Sequence, residues 1–83
     1  MTKIKLSVAL ATYNEEQNLG NCLDSVRQLA DEIVIVDGGS IDDTVKIAQT
    51  FGARITVTNN PSVFHSNKQK ALNMCKGDWI LQL

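Results

Sequence analysis

Aromatic residues are scarce in this chain, and proline and cysteine are scarcer. Aromatic side chains make up 5% of 83 residues. With a pI near 5.6, that leaves no basic, stacking-rich surface for nucleic acid as the main partner. One proline, five glycines and 43% apolar residues exclude disorder, a collagen-like repeat and low complexity. No apolar run approaches the ~18–20 residues of a membrane-spanning helix. The apolar stretch after Lys3 and Lys5 runs straight into Tyr13-Asn14-Glu15-Glu16 with no small-residue cleavage site, so no secretory signal is expected. Cys22 and Cys75 lie far apart, and neither belongs to a C-x-x-C. They read as small buried apolar residues on helices, in keeping with a reducing, cytoplasmic setting.

What is present is enough for one small domain. A chain of this size buries about 60–65% of its unfolded surface, so its core has little to spare. The net charge of −1 hides an asymmetry: residues 1–43 hold eight of the nine acids and three of the eight bases. Either these are ordinary solvated helix faces, or a site has one acidic and one basic wall.

Residues 4–11 alternate and then become continuously small or apolar, as in a strand entering a buried sheet. Asn14, with Gln17 three residues on, has the spacing of a capping box. Leu19, Cys22, Leu23, Val26 and Leu29 then recur as one helical stripe. Gly20 interrupts it, either for a close contact or by tolerance. Glu32-Ile33-Val34-Ile35-Val36 has four consecutive β-branched residues, the mark of a central parallel strand. It breaks at Asp37-Gly38-Gly39-Ser40. Ser40 is placed to cap a second helix, with Asp42 and Asp43 in its first turn, Val45, Ala48 and Phe51 as its stripe and Gly52 as its stop.

Residues 54–58 alternate cleanly, as near a sheet edge. Residues 59–62 read as loop, and so does His65. Ser66 with Gln69 suggests a third helix, with Ala71, Leu72 and Cys75 facing inward and Gly77 at its end. A fourth strand begins at Asp78, with Trp79 expected in the core. The order β-α-β-α-β-α-β predicts an α/β fold with a parallel sheet and helices on its faces. Ligands of such sheets bind beyond the carboxyl ends of the strands, where strand order reverses.

Asp37 stands at that edge, where the glycines let a backbone approach a ligand closely. Its carboxylate can accept hydrogen bonds from a nucleobase or a ribose hydroxyl; equally, it can end the strand by bonding the turn amides. Tyr13 offers either a stacking face or core packing with its hydroxyl at the rim. The loop 11–16 has no G-x-G-x-x-G and no Walker pattern, and its acids make a poor cradle for pyrophosphate. Lys68 and Lys70 could meet a phosphate at the start of the third helix, or simply be solvated. His65 has no metal-ligand partner at suitable spacing. Asp42 and Asp43 fit helix capping better than catalysis.

Residues 6–16 resemble the opening strand of family 2 glycosyltransferases. Residues 33–44 resemble that family's V-D-D-G-S-T-D-D-T, and residues 68–80 the helix and strand before its D-x-D. The likeness covers essentially the whole chain and is closest to the subgroup acting on lipopolysaccharide core or other cell-envelope acceptors. It implies a Rossmann-like parallel sheet of the GT-A type, truncated in its fourth strand. Residues 1–83 would then be the N-terminal, nucleotide-sugar-binding part of one domain, poorly stable and inactive alone.

By that resemblance the nucleotide-binding residues are Ala11, Thr12, Tyr13, Glu15, Asp37, Gly39 and Lys68, with the Asp37 carboxylate on the base and Lys68 near the diphosphate. The family's arginine is replaced there by lysine, which keeps the charge and loses the bidentate fork. Gly38 stands where the family has its second acid.

The implied partners are a nucleotide-diphospho-sugar donor and a glycan or glycolipid acceptor. The implied cofactor is Mg²⁺ or Mn²⁺, held on a D-x-D that would fall past Leu83, with the catalytic base later still. The expected reaction is an inverting transfer. The expected location is the cytoplasm or the inner face of the cell membrane, with membrane contact only through parts outside these residues. Two other readings remain open: a non-catalytic nucleotide-binding or interaction module, and a sugar nucleotidyltransferase. The second would want a Gly-rich, basic loop in place of residues 12–15.

Overall fold

The computed structural model describes residues 5–59 and 64–83. Its elements run β1 (Leu6–Thr12), α1 (Leu19–Val26), β2 (Glu32–Asp37), α2 (Thr44–Thr50), β3 (Arg54–Val57), α3 (Phe64–Met74) and β4 (Trp79–Gln82). The four strands form one sheet in the order β3-β2-β1-β4, and every neighbouring pair is parallel. The β-branched run of β2 is buried along its length, and β3, with its alternating sequence, is an edge strand. Both follow the sequence expectation.

Successive side chains of a strand point to opposite faces, and the core divides accordingly. Val8, Leu10, Ile33 and Ile35 pack against Leu19, Leu23 and Val26 of α1 and Ala48 of α2. On the other face Ala9, Val34 and Val36 pack against Ala71 of α3, with Leu72, Met74 and Cys75 at its margin. Strand order therefore reverses between β1 and β4, with helices on both sides of that point.

Several local expectations are corrected. Asn14 does not cap α1, which starts five residues later, preceded by Asn18 with no side-chain capping bond. Asn14 instead adopts a left-handed conformation (φ 52°), and its side chain bonds the Ile41 amide. Ser40 does not cap α2; Asp43 precedes that helix, and Asp42 accepts the Thr44 N–H. In both cases the short polar side chain bonds the neighbouring loop. Leu29 falls beyond α1 and is exposed. Ser66 and His65 lie inside α3, which begins at Phe64 and ends at Met74, before Gly77. Gly20 faces Ile47 at ordinary contact distance, so it is tolerated.

Cys22 and Cys75 are half-buried and free. Trp79 is 75% exposed, because β4 is an edge strand whose face no described residue covers. Ile4 and residues 60–62, which include part of the expected loop, lie outside the described residues.

A polar network ties the amino end of the sheet to the end of α3. Ser7 is fully buried, and its hydroxyl donates to Glu32 Oε2 at 2.6 Å while accepting the Gly77 N–H at 2.8 Å. Glu32 Oε2 also accepts the Lys76 N–H at 2.6 Å, and Oε1 accepts Arg54 Nη2 at 2.9 Å and Nε at 3.2 Å. Arg54 Nη2 bonds the Met74 carbonyl as well. Burial alone would raise the Glu32 carboxyl; the bonds from Ser7, Lys76 and Arg54 outweigh it and hold the group below the ordinary glutamate range. A Cβ on Gly77 would lie 2.6 Å from Ser7 Oγ, so the turn into β4 sits directly on β1.

Candidate functional site

The loops leaving β1 and β2 are bonded to each other residue by residue. Asp37 has no exposed surface, and its carboxylate accepts four hydrogen bonds. Oδ1 takes the Thr12 hydroxyl at 2.7 Å and the Ser40 hydroxyl at 2.6 Å; Oδ2 takes the Gly39 N–H at 3.0 Å and the Ser40 N–H at 2.7 Å. A carboxylate has about four lone-pair positions, so these donors fill it. A nucleobase or ribose donor reaches Asp37 only when one of the two hydroxyls turns away. Gly39 makes the turn possible: its φ is +96°, and a Cβ there would lie 2.9 Å from the Thr58 carbonyl oxygen.

The β1 loop spends its amides in the same way. The Asn14 N–H donates to Ser40 Oγ at 2.7 Å, the Glu15 N–H to Thr44 Oγ1 at 2.8 Å and the Glu16 N–H to Asp42 Oδ2 at 3.3 Å. Asp42 holds the Thr44 hydroxyl and N–H in turn. These bonds keep the Asp42 carboxyl below its ordinary range against the opposing effect of burial. The amides of Asn14, Glu15 and Glu16 are therefore occupied and lie among acids. A phosphate group finds no cradle there.

A cavity of about 330 Å³ opens beside this loop, where strand order reverses. Leu10, Ala11 and Thr12 of β1 form its floor; Glu15, Asn18, Leu19 and Cys22 form one wall. Lys68 of α3 and Leu83 after β4 close the opposite side. Its volume falls in the usual range of about 300–1,000 Å³ for small-molecule sites. The lining is largely apolar, and Glu15 and Lys68 are its two charged residues.

Of the seven residues singled out in the sequence, Ala11, Thr12, Glu15 and Lys68 line this cavity. Asp37 is joined to it through Thr12, and Gly39 shapes the turn behind it. Tyr13 is partly exposed at the edge of the loop and does not line the cavity. Sequence reasoning passed over Leu10, Asn18, Leu19, Cys22 and Leu83 as lining residues. The helical period had placed Leu19 and Cys22 in a core stripe, and only the reversal of strand order brings Leu83 to β1.

Among the described residues, no three His, Cys, Asp or Glu side chains come together in a way that could hold a metal ion. Asp37 and Asp42 are engaged within the loops. The described residues do not fit a divalent-cation site.

Comparison with known proteins bears on the same region. An uncharacterized glycosyltransferase of Rickettsia typhi is 39% identical over 80 residues, spanning 95% of this chain and 27% of the relative. The lipopolysaccharide core biosynthesis glycosyltransferase LpsC of Rhizobium meliloti is 36% identical, over 98% of this chain and 31% of its own length. The chain thus spans between a quarter and a third of the length of these relatives.

Among solved structures, Staphylococcus aureus TarS 1-349 superposes with a TM-score of 0.81 at 26% identity, covering 96% of this chain and 27% of that one. Glucosyl-3-phosphoglycerate synthase of Mycobacterium tuberculosis, solved with uridine diphosphate, superposes with a TM-score of 0.57 at 36% identity, covering 65% and 21%. The sheet is of the GT-A type shared by these neighbours. The sequence model of Glycosyl transferase family 2 matches residues 7–83, and this chain belongs to that family.

Proposed function

We propose that this chain supplies the donor-nucleotide half of a glycosyltransferase that uses a nucleotide-diphospho-sugar. The observation that carries the reading is the cavity between β1 and β4, at the reversal of strand order, with Ala11, Thr12 and Glu15 on one side and Lys68 on the other. The nucleoside occupies the apolar floor, with Tyr13 at its rim and Asp37 and Gly39 setting the loop behind it. The diphosphate lies toward Lys68, because the amides of Asn14, Glu15 and Glu16 are taken. An ammonium there offsets the charge of the leaving diphosphate as the bond to the sugar breaks.

The acceptor is a hydroxyl of a cell-envelope glycan or glycolipid, and transfer proceeds with inversion. The likeness to LpsC supports the acceptor class; the family resemblance of residues 6–16 and 33–44 supports inversion. The M. tuberculosis relative is described in complex with Mn²⁺ and UDP-glucose. A Mg²⁺ or Mn²⁺ ion would add to the charge offset at the leaving diphosphate, held by residues other than the described ones. The enzyme works at the cytoplasmic side of the membrane. No described helix is long and apolar enough to cross it.

The test is a titration of uridine and guanosine diphosphates, with Mn²⁺, into the polypeptide that carries these residues. Release of nucleoside diphosphate from the matching nucleotide-sugar is then followed with a glycan acceptor added. Saturable binding and acceptor-dependent release are expected. Binding without release would make the chain a nucleotide-binding module; no binding of either nucleotide contradicts the reading.

A further inference from the structure

We propose that Glu32 is a positioning residue for the nucleotide cavity, although it sits at the opposite end of the sheet. The proposal rests on the nucleotide reading given above. Glu32 opens β2, whereas the cavity lies at the carboxyl ends of β1 and β4. What connects them is α3 and the turn that follows it. Lys68 is on α3, Leu83 follows β4, and both close the same side of the cavity.

The segment between those two residues is held at one place by Glu32 and its partners. The carboxylate takes the Lys76 N–H at 2.6 Å, and Ser7, bonded to the same carboxylate, takes the Gly77 N–H at 2.8 Å. Arg54, paired with Glu32 Oε1 at 2.9 Å, holds the Met74 carbonyl. Three points of the α3–β4 connection, at Met74, Lys76 and Gly77, are thus referred directly or through Ser7 and Arg54 to one carboxylate. Gly77 leaves no slack, since even a methyl group there would collide with Ser7. The next β4 residue, Trp79, continues the clamp by donating its N–H to the Lys5 carbonyl at 2.8 Å.

A rigid helix carries a fixed end to its other end. Releasing the last turn of α3 therefore lets Lys68 move relative to the floor formed by Ala11 and Thr12. The charged group shown facing the Glu32 carboxylate is the Arg54 guanidinium from β3. The half-buried Cys75 thiol, pushed up by burial and by the Glu32 charge, faces it from the end of α3. Asp31 accepts the Lys5 and Leu6 N–H groups, each at 2.9 Å, so it anchors β1 and not α3. Glu32 is the shared partner of Ser7 and Arg54, the two other side chains that hold the α3–β4 connection to the sheet. An amide at this position presents a donor to at least one of the donors it now accepts.

The experiment is a double-mutant cycle on the affinity for uridine diphosphate with Mn²⁺, measured by calorimetry on the whole polypeptide. Its arms are the parent, Glu32→Gln, Lys68→Ala and the double variant. Glu32→Gln should weaken binding about tenfold, the scale of one lost charge-assisted hydrogen bond. In the Lys68→Ala background the same change should cost nothing further, because the residue it positions is gone. Additive losses, or a Glu32→Gln protein that binds like the parent, would overturn the proposal and leave the nucleotide reading standing. A parent that binds no nucleotide overturns both.

Should Glu32→Gln not fold, Ser7→Ala breaks the same connection more gently. It should show the same non-additivity with Lys68→Ala, and additivity there overturns the proposal equally.

Discussion

Thr12 and Asp37 are the last register pair between β1 and β2, and the Thr12 hydroxyl donates a 2.7 Å hydrogen bond to the buried Asp37 carboxylate. One residue thus lines the cavity while the other anchors the loop behind it. Because Asp37 also holds Gly39 and Ser40, and Ser40 holds Asn14, the two loops at this edge behave as one unit.

Asp37→Asn should expose that dependence. An amide keeps the shape but turns a donor toward donors. Leaving one charge-assisted bond unmade in a buried site costs about 1.5–3 kcal/mol. Urea denaturation of parent and variant measures it directly. A loss under about 0.5 kcal/mol, typical of an indifferent surface change, would show that the four bonds do not hold the loop.

Gly39 and Gly52 provide a paired test of backbone against collision. Both have positive φ, +96° and +73°, but only at Gly39 would a Cβ strike another atom, the Thr58 carbonyl oxygen at 2.9 Å. Gly52→Ala should cost the left-handed penalty alone, about 1–2 kcal/mol. Gly39→Ala should cost clearly more in the same denaturation series. Equal losses would mean that the β2 loop yields freely to the added methyl.

The fold was largely legible in the sequence, and the reasons lie in particular segments. The run Ile33-Val34-Ile35-Val36 is apolar on both faces, and only a central strand uses that. The alternation of Arg54-Ile55-Thr56-Val57 marked an edge for the complementary reason. Helix starts were misplaced because Asn14 and Ser40 have the chemistry of caps, a short polar group close to backbone amides. That chemistry serves equally well across 26 or 27 residues of sequence, and local spacing carries no sign of the distant partner. Asp37 was left between two roles, and its filled hydrogen-bond shell accounts for the ambiguity: it bonds the turn amides and also supports the cavity through Thr12. The network around Glu32 had one visible sign, a serine inside the apolar run of β1, whose partner is 25 residues away.

Acid should loosen the amino end of the sheet. The Glu32 carboxyl is held below its ordinary range in the folded chain by Ser7, Lys76 and Arg54, which outweigh its burial. Folding therefore gains stability from the ionised group. That gain is complete above the ordinary glutamate range, about pH 4.3. It is lost as pH falls through the lowered folded value. A pH series of denaturation midpoints should show this acid limb in the parent and a shallower one in Glu32→Gln. Identical limbs would mean that other carboxylates govern the acid response.

Placing a nucleoside diphosphate between the β1 loop and α3 makes one lysine matter and its neighbour not. Lys68 closes the cavity, whereas Lys70 is exposed and takes no part in its lining. The most direct measurement is the affinity of the whole polypeptide for uridine diphosphate with Mn²⁺, compared among the parent, Lys68→Ala and Lys70→Ala. A charge-assisted contact to phosphate is worth at least about tenfold in affinity. Lys68→Ala should lose that much or more, and Lys70→Ala should bind as the parent does. Equal affinities for the two variants would contradict a diphosphate at Lys68, and with it the assignment of the cavity.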